Sequence, residues 1–289
     1  MNSMQRNKIC AALALLGSTM ATIPAALADG VYTSLDYPGA IATFGRGVNP
    51  DGEIVGFYVS ADNKTHGYTL QNGVYTAINV PGAVATAIDG GPNPQGDVVG
   101  NYVDSLGKNH GFLLSGGVFT TIDFPGAVGT TARYINARGD IVGVYNGGSH
   151  GFLLSEGTYS SIDVPGASVT QAEGINSEGS IVGLYVMAGK PHGFLLSGGQ
   201  FTTIDVPSAL GTTAQDINPP GTVVGFYADA NGVLQAYSDR SGHFETLVFP
   251  GAPTDCAFGI NPQGDIVGQY TDTHGVTHGF LLSNAGNSK

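Results

Sequence analysis

The sequence predicts an all-β protein, a six-bladed β-propeller of four-stranded blades, closed by pairing of the N-terminal strand with the C-terminal blade. Three observations predict it. One unit of 40 to 44 residues recurs six times. Each unit holds four short runs of β-branched and aromatic residues bounded by turn residues. The chain also opens on a lone fourth run and stops after a third run.

Two triplets mark the unit. Pro-Gly-Ala begins at Pro38, Pro81, Pro125, Pro165 and Pro250, with Pro207-Ser208-Ala209 as a variant. His-Gly-aromatic begins at His66, His110, His150, His192 and His278, with Gln235-Ala236-Tyr237 in the remaining unit. Between runs one and two lies Asn-x-x-Gly, as in Asn49-Pro50-Asp51-Gly52, which suits a type I turn. Between runs three and four lie two residues, such as Asn72-Gly73 and Gly116-Gly117, which fit primed hairpin turns.

The hairpin sets a register. With Gly116-Gly117 as the loop, Ser115 faces Val118 and His110 falls opposite Asp123. The same count pairs His66 with Asn79, His150 with Asp163, and His192 with Asp205. Opposed side chains sit about 5 Å apart and interact. Where His becomes Gln235, the partner becomes Val248. Pairing the first run with the last restores the motif as His278 with Asp36. Closing the ring also removes two raw strand edges, each an aggregation hazard.

Composition narrows the function classes. Of 289 residues 46 are Gly, charged residues are 11%, and there is no Trp. Gly disfavours helical bundles. The net charge of -12 disfavours a nucleic-acid partner. Residues 1–28 read as a cleaved signal peptide: Arg6 and Lys8, an apolar run from Ile9 to Leu16, then Ala26-Leu27-Ala28 before the cut. The expectation is a secreted or periplasmic chain with residues 29–289 as a single propeller domain. No later run approaches the ~20 apolar residues of a membrane span. Cys256 then stands without a disulfide partner. A monomer is expected, with no metal and no cofactor.

The recurring His-Gly-Phe-Leu, Gly-Ile-Asn and Ile-Val-Gly-x-Tyr stretches resemble the extracellular HAF repeats of bacteria. The usual His-Ala-Phe reads His-Gly-Phe or His-Gly-Tyr here. The resemblance covers nearly the whole chain after residue 28. It implies a secreted repeat protein and carries no activity with it.

A residue that recurs in every blade serves the blade, so the His–Asp pairs are expected to be structural. Function is sought in what varies. Only the Tyr-to-His spacing between runs two and three changes appreciably, from 5 to 8 residues. Those loops share a face with the Pro-Gly-Ala loops and carry Asp104, Asp229, Asp272 and His274 as ligand-binding candidates. Run one is expected to line the axis. Three positions before its turn Asn it reads Arg46, Gly90, Arg133, Glu173, Gln215 and Phe258. Arg46, Arg133, Glu173 and Gln215 are therefore candidates for lining a central channel, with Tyr134, Asp89, Asp216 and Asp255 as companions. Ion pairing between blades, or plain solvation, is the competing expectation. The leading function is a binding scaffold for a glycan, small molecule or protein. A structural envelope or matrix protein and a hydrolase or lyase with a central-funnel site are the alternatives. No Gly-x-Ser-x-Gly elbow, His-Glu-x-x-His or phosphate loop is present.

Overall fold

The structure is a computed structural model, described here for residues 30–284; the expected signal peptide lies outside the described residues. Six four-stranded antiparallel sheets form a ring, a six-bladed β-propeller. Blades I to V each take four consecutive strands. Blade III, for example, runs Thr130–Ile135, Ile141–Tyr145, His150–Ser155 and Thr158–Ile162. Blade VI takes Thr254–Ile260, Ile266–Thr271 and Thr277–Asn284, and its fourth strand is Gly30–Leu35 from the other end of the chain. Val31 pairs with Ser283 and Leu35 with Gly279, so the ring is closed as the lone runs require.

Local chemistry explains the repeat. The two-residue hairpins place both residues at positive φ, 55° and 81° at Gly116-Gly117. This is the twist-matched primed turn, and Ser115 pairs with Val118 as the register demands. The Gly of Ile-Val-Gly answers a different need. A Cβ on Gly143 would collide with the Thr131 carbonyl and lie 2.7 Å from the Phe152 ring. The inner strand bulges opposite this glycine in every blade, and the bulge brings its backbone too close for a side chain.

Two ties repeat around the ring. The hydroxyl that opens each inner strand accepts the N–H six residues earlier, as Thr130 does from Phe124 at 2.9 Å. Thr43, Thr86, Thr170 and Thr212 do the same. In blade VI a carboxylate, Asp255, takes over and also accepts Ala236 N–H.

The second tie is the turn Asn. Asn136 Oδ1 accepts the N–H groups of Arg138 and Asp140, while Nδ2 donates to the Asn176 carbonyl of the next blade at 3.1 Å. Asn93, Asn176, Asn218 and Asn261 reach the next blade's Asn carbonyl likewise, linking blades II, III, IV, V, VI and I in order. These linked asparagines encircle the axis on one face. Sequence reasoning assigned them only to the turns.

The core lies between blades. Tyr68, Phe112, Phe152, Phe194, Tyr237 and Phe280 are fully buried there. First strands of neighbouring blades touch one another around the ring, which makes run one the innermost strand.

Candidate functional site

At the axis, the extra residue of each inner-strand bulge is Arg46, Asp89, Arg133, Glu173, Gln215 or Phe258. One position therefore needs correction. The sequence count placed Gly90 in this ring, but Asp89 occupies it. Blade II carries one extra residue between its bulge and Asn93, around Gly91-Pro92, and counting back from Asn93 lands one residue late.

These residues do not line an open channel. Arg46, Arg133, Glu173 and Gln215 are all buried. Arg133 stands between two carboxylates, 3.5 Å from Asp89 and 3.5 Å from Glu173, and joins blades II, III and IV. All three side chains are 0–2% exposed. Arg46 lies 3.7 Å over the Phe258 ring, with Phe57 and Phe44 further out, and donates to Gln269 Oε1 at 3.5 Å. This is a cation held by aromatic faces. Of the competing expectations, ion pairing between blades describes Arg133, Asp89 and Glu173, and plain solvation does not fit their burial.

Just past the bulge the inner strands carry Gly47, Gly90, Gly174 and Gly259 in four blades, but Tyr134 and Asp216 in the other two. The Tyr134 hydroxyl hydrogen-bonds Asp216, spanning from blade III to blade V. Asp216 also accepts the N–H of Ile217 at 2.8 Å and of Ile260 at 2.9 Å. Burial pushes its carboxyl up to about 7, and the donated hydrogen bonds offset only part of that. Burial likewise raises Asp255 to about 6. A protonated or hydrogen-bonded carboxyl at this depth avoids the cost of a naked charge.

On the variable face the expected residues are present but already employed. Asp104 Oδ1 accepts the N–H groups of Leu106 and Lys108. Asp229 holds Asn231 and Val233 in the same way, and Asp272 holds His274 and Val276. These carboxylates close their loops, and the Lys108 and Val276 N–H groups are the leading cause that lowers Asp104 and Asp272.

The paired histidines lie beside these loops. His66 Nδ1 sits 2.8 Å from Asn79, and His110, His150 and His192 sit 2.8 Å from Asp123, Asp163 and Asp205. His278 is 2.6 Å from Asp36 across the closure. Each ring stacks on the run-two Tyr of its blade, at 5.0 Å for Tyr102 and His110. In blades II and VI the second ring nitrogen faces a loop carboxylate. His110 Nε2 is 3.4 Å from Asp104, and His278 Nε2 is 3.6 Å from Asp272. The loop candidates and the repeat pairs thus form two Asp–His–Asp chains. His274 extends the second, 3.5 Å from Asp272 and 85% exposed. Among the described residues no group of three or more His, Cys, Asp or Glu is arranged to hold a metal.

No protein-family model matches the chain, and a search of curated proteins returns no match. Solved structures share the fold. AofleA from Arthrobotrys oligospora aligns over 90% of this chain and 91% of its own, with 13% identity and a TM-score of 0.54. The fucose-specific lectin from Aleuria aurantia aligns over 90% and 97%, with 11% identity and 0.50. The β-propeller domain of the Trilobed protease from Pyrococcus furiosus aligns over 86% and 95%, with 11% identity and 0.52. The likeness is one of fold. It differs at closure, because the Pyrococcus domain has an open velcro topology while this ring is closed by Gly30–Leu35.

Proposed function

We propose that this chain is a secreted HAF-type repeat propeller that serves as a binding scaffold and presents its variable loop face to a ligand. One observation carries the proposal. Length variation gathers on the face of the run two–three loops, where His274 stands 85% exposed, whereas the axis polar groups are spent on one another. A rigid ring with one variable face is the arrangement of a recognition module. The fold is shared with a protein named as a fucose-specific lectin, so glycans are the first ligand class to test, ahead of other small molecules and proteins.

The hydrolase or lyase alternative asks for a carboxylate pair with an adjacent Arg. Asp89, Glu173 and Arg133 have that composition, but their side chains are shut away from substrate. The axis therefore favours binding elsewhere, or a purely structural envelope role, over funnel chemistry.

A glycan array probed with residues 29–289 and with the D272A/H274A variant tests the proposal. Binding that is lost in the variant supports the loop face. Binding unchanged in the variant counts against the loop face, and no binding across the array counts for the structural role. N-terminal sequencing of the exported chain should begin at Asp29 if the first 28 residues are a signal peptide.

A further inference from the structure

Blade V breaks the repeat at one corner. Its third run reads Tyr237-Ser238-Asp239-Arg240 where four others read Phe-Leu-Leu-Ser and blade I reads Tyr68-Thr69-Leu70-Gln71. Ser238 stands where four other blades carry Leu113, Leu153, Leu195 and Leu281, and blade I carries Thr69. Those leucines pack against the next blade. Arg240 replaces Ser115, Ser155, Ser197, Ser283 or Gln71. Glu245 replaces a Thr or Ser found in all five other blades, and Thr222 replaces a Glu, Asp or Ser.

The four changes meet in space. Ser238 pairs across the sheet with Glu245, and Thr222 with Arg240. All four line a cavity of about 330 Å³ between blades V and VI. It opens on the Asn-turn face, opposite the variable loops. Loss of the packing leucine leaves the space, and the three neighbouring changes make one wall polar. Across from that wall, Ile260, Ile266 and Leu282 are apolar. Thr222 is only 7% exposed, and its hydroxyl has no hydrogen-bond partner among the described residues. An unpaired buried hydroxyl costs stability unless something in the cavity pairs with it.

We propose that this cavity is a binding site for a saccharide of one or two rings. Ligand pockets begin at about 300 Å³. One wall supplies two hydroxyls, a guanidinium donor and a carboxylate acceptor within one strip of sheet. The facing wall is aliphatic. A pyranose matches both, with hydroxyls along its rim and C–H groups on its face. Arg240 donates to ring hydroxyls, Glu245 accepts from them, and Thr222 receives the partner it lacks. The site is independent of the variable loop face.

The test is saturation-transfer NMR on residues 29–289. The probes are D-glucose, D-galactose, L-fucose, N-acetyl-D-glucosamine and D-glucuronate at millimolar concentration. S238L restores the leucine that four other blades carry at this position and projects it into the cavity between the polar and apolar walls. At least one probe should receive saturation from the parent. That transfer should fall at least fivefold in S238L, fall severalfold in T222V, and stay unchanged in D272A/H274A. Transfer that survives in S238L overturns the proposal, and so does the absence of transfer to every probe.

Discussion

Replacing Asp216 by Asn tests the reading of the axis most sharply. Asp216 is fully buried, accepts two backbone N–H groups and meets the Tyr134 hydroxyl. Its carboxyl is pushed up to about 7 by burial. An unfolded Asp titrates near 3.9, so the shift is about three units, each worth ~1.4 kcal/mol. Between pH 4 and 7 the folded chain holds a proton that the unfolded chain has released. The free energy of unfolding therefore falls as pH rises. The contribution is complete below pH 4 and gone above pH 7. Asp255, raised to about 6 by burial, acts with the same sign between pH 4 and 6. Asp62, Asp104, Asp140 and Asp272 are lowered and act with the opposite sign, below that window. Comparing variant with parent isolates Asp216, because the D216N chain keeps every other group. The assay is urea unfolding of both chains from pH 4.5 to 8.0. Over that range the parent should lose about 3 kcal/mol relative to D216N. In a chain of this size that is roughly 6 to 12 °C in melting temperature. A stability difference that stays flat with pH refutes a buried, proton-holding Asp216.

Three further outcomes follow from the same geometry. Arg133→Met removes the cation shared by Asp89 and Glu173 and should cost roughly 3–5 kcal/mol, read as a lower urea midpoint; a loss below about 1 kcal/mol would show that the pairs behave like surface contacts. Gly143→Ala forces a Cβ onto the Thr131 carbonyl and should cost about 3 kcal/mol, whereas a variant that melts with the parent would contradict the close approach. A chain beginning at Tyr37 loses the closing strand and exposes the Thr277–Asn284 edge; it should elute as oligomer or aggregate and melt far below the parent, and a monomer of parental stability would show that the ring does not need its clasp.

The closure and the Asn turns carry complementary loads. The clasp ties blade VI across the chain ends through strand pairing at the rim, from Gly30 with Asn284 to Leu35 with Gly279. The asparagine links tie the blades at the axis, where the strands converge. Opening the ring beside the clasp breaks the Asn261–Asn49 link as well as the strand pairing. Core packing adds to these ties, as where Cys256 lies buried with Phe226, Ala228, Leu234 and Phe258.

How legible each feature was follows from its symmetry. Blade number, hairpin type, His–Asp register and closure each recur or complete a recurrence, and a single sequence displays six copies of the same physical need. The asparagine links recur as well, yet they stayed hidden because their partner lies one unit further along, and a turn already explains an Asn before Gly. Gly90 was misplaced for a different reason: one inserted residue shifts every count made from the far side of it, and only the bulge shows that Asp89 faces the axis. The loop carboxylates Asp104, Asp229 and Asp272 vary with their loops, but their geometry is that of turn closure, which sequence variation alone cannot separate from ligand binding. Departures from a repeat therefore mean different things at different radii. At the axis six strands converge, space closes, and polar departures such as Arg133 and Glu173 must satisfy one another. Further out, between blades V and VI, losing one leucine opens room that no neighbouring side chain fills, and the polar departures Thr222, Ser238, Arg240 and Glu245 are left facing that room.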